Sequence, residues 1–182
     1  MVKNKAIILD RDGTLIEDKN YAYKIEDFEI LPGVCEGLNL LKDSFLFFIV
    51  TNQSGIGKGY YSVEDFHNFN NHLLSTLDKN NIKIEKTYFC PHLAEDNCKC
   101  KKPKPKFLQL IAKEYNINLN ESWVIGDHPS DILFGLNGGC KTAYLQTGHG
   151  VRHIEELEQK GIKPDVITDN FLEVSKLILK KN

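Results

Sequence analysis

The sequence has no apolar run near the ~20 residues that a membrane-spanning helix needs. Its opening residues, Met1-Val2-Lys3-Asn4, pass straight into an apolar stretch and carry no leader pattern. A cytoplasmic location and no membrane partner are therefore expected. Neither charge is in surplus: 23 Lys and Arg stand against 25 Asp and Glu, for a net charge of −2. Without a basic stripe, no nucleic-acid partner is expected. Internal repeats, low-complexity tracts and a domain-scale linker are also missing. Residues 1–182 are thus expected to form one domain, long enough to bury a core. Cysteines are few and odd in number, five in all. Three of them, Cys90, Cys98 and Cys100, crowd together, which in a reducing compartment favours a metal over disulfides.

What is present is an alternation of strand and helix signals. Ala6-Ile7-Ile8-Leu9 and Phe45 to Val50 read as buried strands. Lys86 to Phe89, Trp123 to Ile125, Thr142 to Leu145 and Asp165 to Thr168 read as further strands. Between them lie helical patterns. Val34, Leu38 and Leu41 make one stripe; Phe66, Phe69, Leu73 and Leu77 make another, started by Ser62 with Asp65 three residues on. Further helices are expected over Phe107–Tyr115, from Pro129, over Arg152–Lys160 and over Asn170–Lys180. This order predicts an α/β fold of three layers, Rossmann-like, with helices on both faces of a parallel sheet. Ligands in such folds bind beyond the carboxyl ends of the strands.

Polar groups gather at that edge. Asp10-Arg11-Asp12-Gly13-Thr14 follows the first strand. Residues i and i+2 share a side, so Asp10 and Asp12 can point together, while Gly13 lets the chain turn. Such a pair can hold Mg²⁺, or divide the roles of nucleophile and proton shuttle; it also fits a plain surface turn. Thr51-Asn52-Gln53-Ser54-Gly55 follows the second strand and offers a hydroxyl and amides to a phosphate, though a threonine ending a strand is often structural. Lys101-Lys102-Pro103 offers a point charge to a phosphoryl group, or is a solvated loop. Gly126-Asp127-His128-Pro129-Ser130-Asp131 offers Asp127 to a metal, with Asp131 in the first turn of a helix as support.

Taken together, these motifs over roughly residues 5 to 150 resemble the haloacid dehalogenase (HAD) superfamily of phosphatases. The resemblance implies Asp10 as nucleophile and Asp12 as general acid/base. It implies Thr51 and Lys102 as phosphoryl-group ligands, and Mg²⁺ held by Asp10, the Asp12 carbonyl and Asp127.

Cys90-Pro91-His92, Cys98 and Cys100 supply three thiolates and an imidazole, a set suited to tetrahedral zinc. Four protein ligands leave no open position, so that zinc is expected to be structural. Cys100 lies two residues before Lys102, so the metal would pin the loop, 90–100, that delivers the lysine. A Cys-Pro-His…Cys-x-Cys loop before the motif lysine is similar to the branch of the superfamily containing heptose-bisphosphate and histidinol-phosphate phosphatases. That likeness implies structural zinc and no large cap domain. Here Lys101 stands where Arg is usual, and His128 where Lys or Arg is common, which leaves the role of His128 open.

The expected partner is a small phosphorylated sugar, a heptose 1,7-bisphosphate first, acted on by a monomer. Asp18-Lys19-Asn20-Tyr21 resembles the substrate segment of the heptose enzymes, as does the run from Thr51 to Tyr61. Asp18, Asn20 and Tyr21 are the candidate sugar contacts, with Asn52, Gln53 and Ser54 beside them. Lys58 and Lys101 are candidates for the second phosphate. Histidinol phosphate, a polynucleotide 3′-phosphate and a non-catalytic zinc-stabilised binding role are the alternatives.

Overall fold

The computed structural model describes residues 3–181. Six strands form one sheet: β1 (Ala6–Leu9), β2 (Leu46–Asn52), β3 (Ile84–Cys90), β4 (Trp123–Gly126), β5 (Lys141–Leu145) and β6 (Val166–Thr168). Their order is β3-β2-β1-β4-β5-β6, and every neighbouring pair is parallel. The helices are α1 (Val34–Leu41), α2 (Ser54–Gly57), α3 (Val63–Lys79), α4 (Lys106–Tyr115), α5 (Pro129–Gly138), α6 (Gly150–Gln159) and α7 (Phe171–Lys180).

The alternation of side chains along β1 divides the core. Ile7 and Leu9 pack with Phe47 and Ile49 against the apolar stripes of α1, α3 and α7. Ala6 and Ile8 face the other way, with Phe48 and Val50, onto Phe107, Leu108 and Ile111 of α4 and Phe134 of α5. A smaller cluster seats Leu157 of α6 on Ile132 and Tyr144. The result is three layers, as the sequence pattern predicts. The start of α3 is also as expected: Ser62 accepts from Asp65 N–H, and Asp65 accepts from Ser62 N–H.

Strand β1 lies between β2 and β4, where the winding of the sheet reverses direction. Its carboxyl end is therefore the crevice that these folds use for ligands. Among the described residues nothing between the elements is large enough for a separate cap. The stretch after β1, residues 10–33, holds only a short 3-10 turn at Ile25–Asp27. No helix among the described residues is long and apolar enough to cross a membrane. Strand β3 runs further than the pattern suggested, so that Cys90 is its last residue rather than a loop residue.

Candidate active site

Asp10 follows β1 directly, and its N–H is held by the Ile125 carbonyl of β4 at 2.9 Å. Its carboxylate cannot wander: Lys102 Nζ stands 2.6 Å from Asp10 Oδ1. The same ammonium lies 2.6 Å from Asp131 Oδ1 and donates to the Val50 carbonyl at 2.8 Å. Lys102 is thus buried with its three donors directed at three oxygens. Asn52, at the end of β2, sets the height of that lysine by accepting from its backbone N–H at 3.0 Å.

Asp127 follows β4 and is buried beside Asp10 and Asp131; one oxygen from each of the three comes within 4.8 Å of the others. Gly13, at φ 80°, is what lets the loop after β1 approach so closely: a Cβ there would strike the Asp127 carboxylate. The crowding is costly. Burial raises the Asp10 carboxyl; Lys102 pulls it back, Asp131 and Asp12 push it up again, and it ends at about 7. Burial, with Asp10 and Asp131, carries Asp127 up to about 9. Lys102 is held above its ordinary value: burial opposes its charge, but Asp10 and Asp131 more than offset that. One lysine is too little cation for three buried carboxylates. Hard oxygen ligands converging with surplus negative charge fit a divalent ion such as Mg²⁺.

Asp12 points elsewhere. Arg11 Nη2 donates to Asp12 Oδ1 at 2.8 Å and Arg11 Nε to Asp12 Oδ2 at 3.0 Å, while Gln53 Nε2 reaches Oδ2 at 2.8 Å. The guanidinium is buried, lying 5.3 Å and 5.1 Å from the ring centres of Phe66 and Phe69 on α3. Gln53 Nε2 also donates to Thr51 Oγ1 at 2.7 Å, and its carbonyl accepts from Arg11 and Tyr61. These groups enclose a cavity of about 430 Å³.

A second cluster sits at the end of β3. Cys90, Cys98 and Cys100 place their sulfurs 3.3 to 3.6 Å apart, and His92 Nδ1 lies 3.3 Å from Cys100 Sγ and 3.6 Å from Cys90 Sγ. A tetrahedral zinc with ~2.3 Å bonds to sulfur sets its sulfurs about 3.8 Å apart, so the donor set and its spacing both suit that metal. None of the five cysteines is paired in a disulfide.

The HAD-hydrolase-like family matches residues 99–174. A Campylobacter jejuni protein named D-glycero-alpha-D-manno-heptose-1,7-bisphosphate 7-phosphatase is 44% identical over 145 residues, 79% of this chain and 83% of its own. A Helicobacter pylori protein, named as the beta-heptose counterpart, is 43% identical over 147 residues, 80% of this chain and 85% of its own. The chain belongs to this HAD phosphatase family. The B. bronchiseptica D,D-heptose 1,7-bisphosphate phosphatase, solved with magnesium and phosphate, superposes with a TM-score of 0.86 at 26% identity. That match covers 98% of this chain and 99% of the other.

Apart from Lys58, the site residues named from the motifs of this phosphatase family meet in a single cavity or in the cysteine cluster. Asp10, Asp12, Thr51, Lys102, Asp127 and Asp131 line the cavity, as do Asp18, Asn20, Tyr21, Asn52, Gln53, Ser54 and Lys101. Some roles differ from those expected. Gln53 has both donors and its carbonyl engaged by the protein, so it braces Asp12 instead of offering a free amide. Asn52 likewise serves the Lys102 backbone. Lys58 is outside the lining; it donates to Tyr21 Oη at 2.7 Å. Asp131 does more than complement a helix dipole, since it pairs with Lys102 and accepts from His128 N–H at 3.1 Å. His128 closes the start of α5, its Nδ1 accepting from Ser130 N–H at 3.1 Å.

Sequence reasoning missed Arg11, Tyr61, Ser130, His149 and His153, all of which line the cavity. A charged residue inside an Asp-x-Asp motif was the available signal for Arg11. Ser130 sits inside the Gly126–Asp131 motif and Tyr61 ends the run from Thr51, but His149 and His153 lie in no motif.

Proposed function

We propose that this chain removes the phosphate at carbon 7 of a D-glycero-D-manno-heptose 1,7-bisphosphate. The carrying observation is Lys102 Nζ at 2.6 Å from Asp10 Oδ1, in a cavity shared with Asp127 and Asp131. The names of the relatives support the substrate.

Mg²⁺ would be held by Asp10, Asp127 and the Asp12 carbonyl, and when bound it would offset charge on the phosphoryl oxygens. Asp10 attacks phosphorus through a carboxylate oxygen, and the bond from phosphorus to the sugar oxygen breaks. Asp12, protonated, gives its proton to that leaving oxygen. Asp10 then carries the phosphoryl group as an acyl phosphate. Asp12, now a carboxylate, takes a proton from water, and the water oxygen attacks phosphorus. Inorganic phosphate leaves and Asp10 is restored. Lys102 and the Thr51 hydroxyl steady the group in transfer, while Arg11 and Gln53 keep Asp12 beside it. Lys101, which lines the cavity, would hold the phosphate that stays. Zinc in Cys90, His92, Cys98 and Cys100 would fix the loop before Lys102. The reading is completed by action as a monomer in the cytoplasm, a reducing compartment in which the cysteines serve a metal.

The test is kcat/KM at one Mg²⁺ concentration for heptose 1,7-bisphosphate, histidinol phosphate and a 3′-phosphorylated oligonucleotide. The bisphosphate is expected to lead. A tenfold preference for histidinol phosphate, about 1.4 kcal/mol of transition-state binding, overturns the assignment.

A further inference from the structure

We propose that His149 is a positioning residue that ties the substrate-facing loop after β1 to the metal-ligand carboxylate of Asp127. The reading rests on the phosphatase assignment above and adds a residue that no motif marks. His149 precedes α6 and lines the cavity together with Asp18, Asn20 and Tyr21. Its side chain and its backbone face different partners. Nε2 lies 2.7 Å from Asp18 Oδ2, and the backbone N–H donates to Asp127 Oδ2 at 2.8 Å.

Asp18 is itself divided. While Oδ2 meets His149, Oδ1 accepts from Asn20 N–H at 2.8 Å. Three polar contacts therefore run in series from Asn20 through Asp18 and His149 to Asp127. The loop at the far end needs holding. Asn20 and Tyr21 sit at φ 55° and 67°, a left-handed conformation disfavoured for residues with a Cβ, and two in succession do not persist unaided. Lys58 restrains the tip through Tyr21 Oη. Asp18 and His149 restrain the base.

The near end is tied down by hydrogen bonds. Thr147 Oγ1 donates to the Gly13 carbonyl at 2.6 Å, so the turn that carries His149 is fastened to the nucleophile loop. His153, the nearest other imidazole at 5.9 Å between ring centres, is occupied by Glu156 at 3.0 Å. It does not compete for Asp18. The neutral Nε2–H tautomer is enough to make the contact, because it donates to a carboxylate.

The division between backbone and side chain sets the test. His149→Ala keeps the N–H to Asp127 and removes the tie to Asp18. Gln in its place restores a side-chain donor of similar reach. In hydrogen exchange of the whole protein, amides of residues 18–22 are expected to exchange about tenfold faster in H149A and to return towards wild type in H149Q. For the sugar bisphosphate, KM should rise about tenfold in H149A with kcat within about threefold. The Mg²⁺ concentration for half-maximal rate should not move. An aryl phosphate too short to reach Asn20 should show no KM change. Unchanged exchange in H149A overturns the proposal, as does a KM rise equal for both substrates or a displaced Mg²⁺ response. Failure of the wild type on the heptose substrate would sink the substrate assignment alone, since the exchange measurement still decides the tie.

Discussion

Arg11 lies along the carboxylate of its own neighbour, Asp12, with Nη2 to Oδ1 at 2.8 Å and Nε to Oδ2 at 3.0 Å. The Arg11 side chain is 1% exposed and the Asp12 side chain 19%, so the fork is largely shielded from water, with the guanidinium beside two aromatic rings. In the proposed mechanism the fork fixes the residue that gives and then takes a proton. Arg11→Lys keeps the charge and loses the two-point contact. Expect kcat to fall about tenfold or more, with KM nearly unchanged. Arg11→Ala should also cost about 3–5 kcal/mol of stability, as for removal of one member of a buried pair. Denaturant unfolding and steady-state kinetics check both. Wild-type kcat in R11K would show that Asp12 needs no such brace.

Asp10→Asn should leave the fold and substrate binding in place and remove turnover. An amide at that position cannot form the acyl phosphate, while Lys102 keeps Asp131 and the Val50 carbonyl as partners. Retention of more than about a tenth of wild-type kcat, a loss under about 1.4 kcal/mol of barrier, would exclude Asp10 as nucleophile.

The sheet and the ends of its strands were readable because each depends on a short local run. Ala6–Leu9 and Trp123–Ile125 are apolar throughout, and a carboxylate comes directly after each or one residue later. The cysteine set was readable for the same reason, since all four donors lie within eleven residues. Arg11 was adjacent to the motif yet carried no sign of its role, because its partners Phe66 and Phe69 are on α3, more than fifty residues away. Gln53 looked like a substrate contact because nothing local shows that Arg11 and Tyr61 will occupy its carbonyl. His149 is placed by a turn folding back onto Gly13, a long-range contact that leaves no periodic trace. Lys58 misled for the opposite reason: a lone lysine near a phosphate motif suggests an anion, and here it meets a phenol.

The carboxylate cluster makes stability depend on pH in an unusual direction. Asp10 is held up at about 7 and Asp127 at about 9, against 3.8 for the ordinary group. In that window the native state keeps protons that the unfolded chain has released, so metal-free protein loses stability as pH rises from about 4 towards 9. An ion-paired carboxylate with a lowered value behaves the other way. Mg²⁺ prefers the deprotonated groups and should reverse the trend. Melting temperatures at about pH 5, 7 and 9, with chelator and with Mg²⁺, give the comparison. Asp127→Asn should flatten the chelator series and remove most of the Mg²⁺ stabilisation. A chelated protein that gains stability over that range would show that burial and mutual repulsion do not hold these carboxyls up.

The cysteine cluster acts on the active site through chain connectivity. Cys100 is two residues from Lys102, and Lys104 Nζ reaches back to the Cys98 carbonyl at 2.6 Å. Backbone N–H groups of Lys101 and Cys100 point at the Cys98 sulfur; burial opposes them, yet the thiol is brought down to about 7. Thiolate at that position is what a zinc ion requires. One zinc per chain is expected on elemental analysis of protein purified without added metal. Cys98→Ser should lose it, whereas Cys140→Ser, a buried thiol outside the cluster, should not. Zinc loss frees the loop that carries Lys102, so kcat should fall by about tenfold or more while the Mg²⁺ concentration for half-maximal rate stays fixed. Proline does not replace the cluster, because Pro103 restricts its own backbone and that of Lys102 but not the residues that lead up to the lysine. Full activity in zinc-free C98S would separate the cluster from catalysis. A changed Mg²⁺ response would instead show that the effect reaches Asp10, which Lys102 contacts at 2.6 Å.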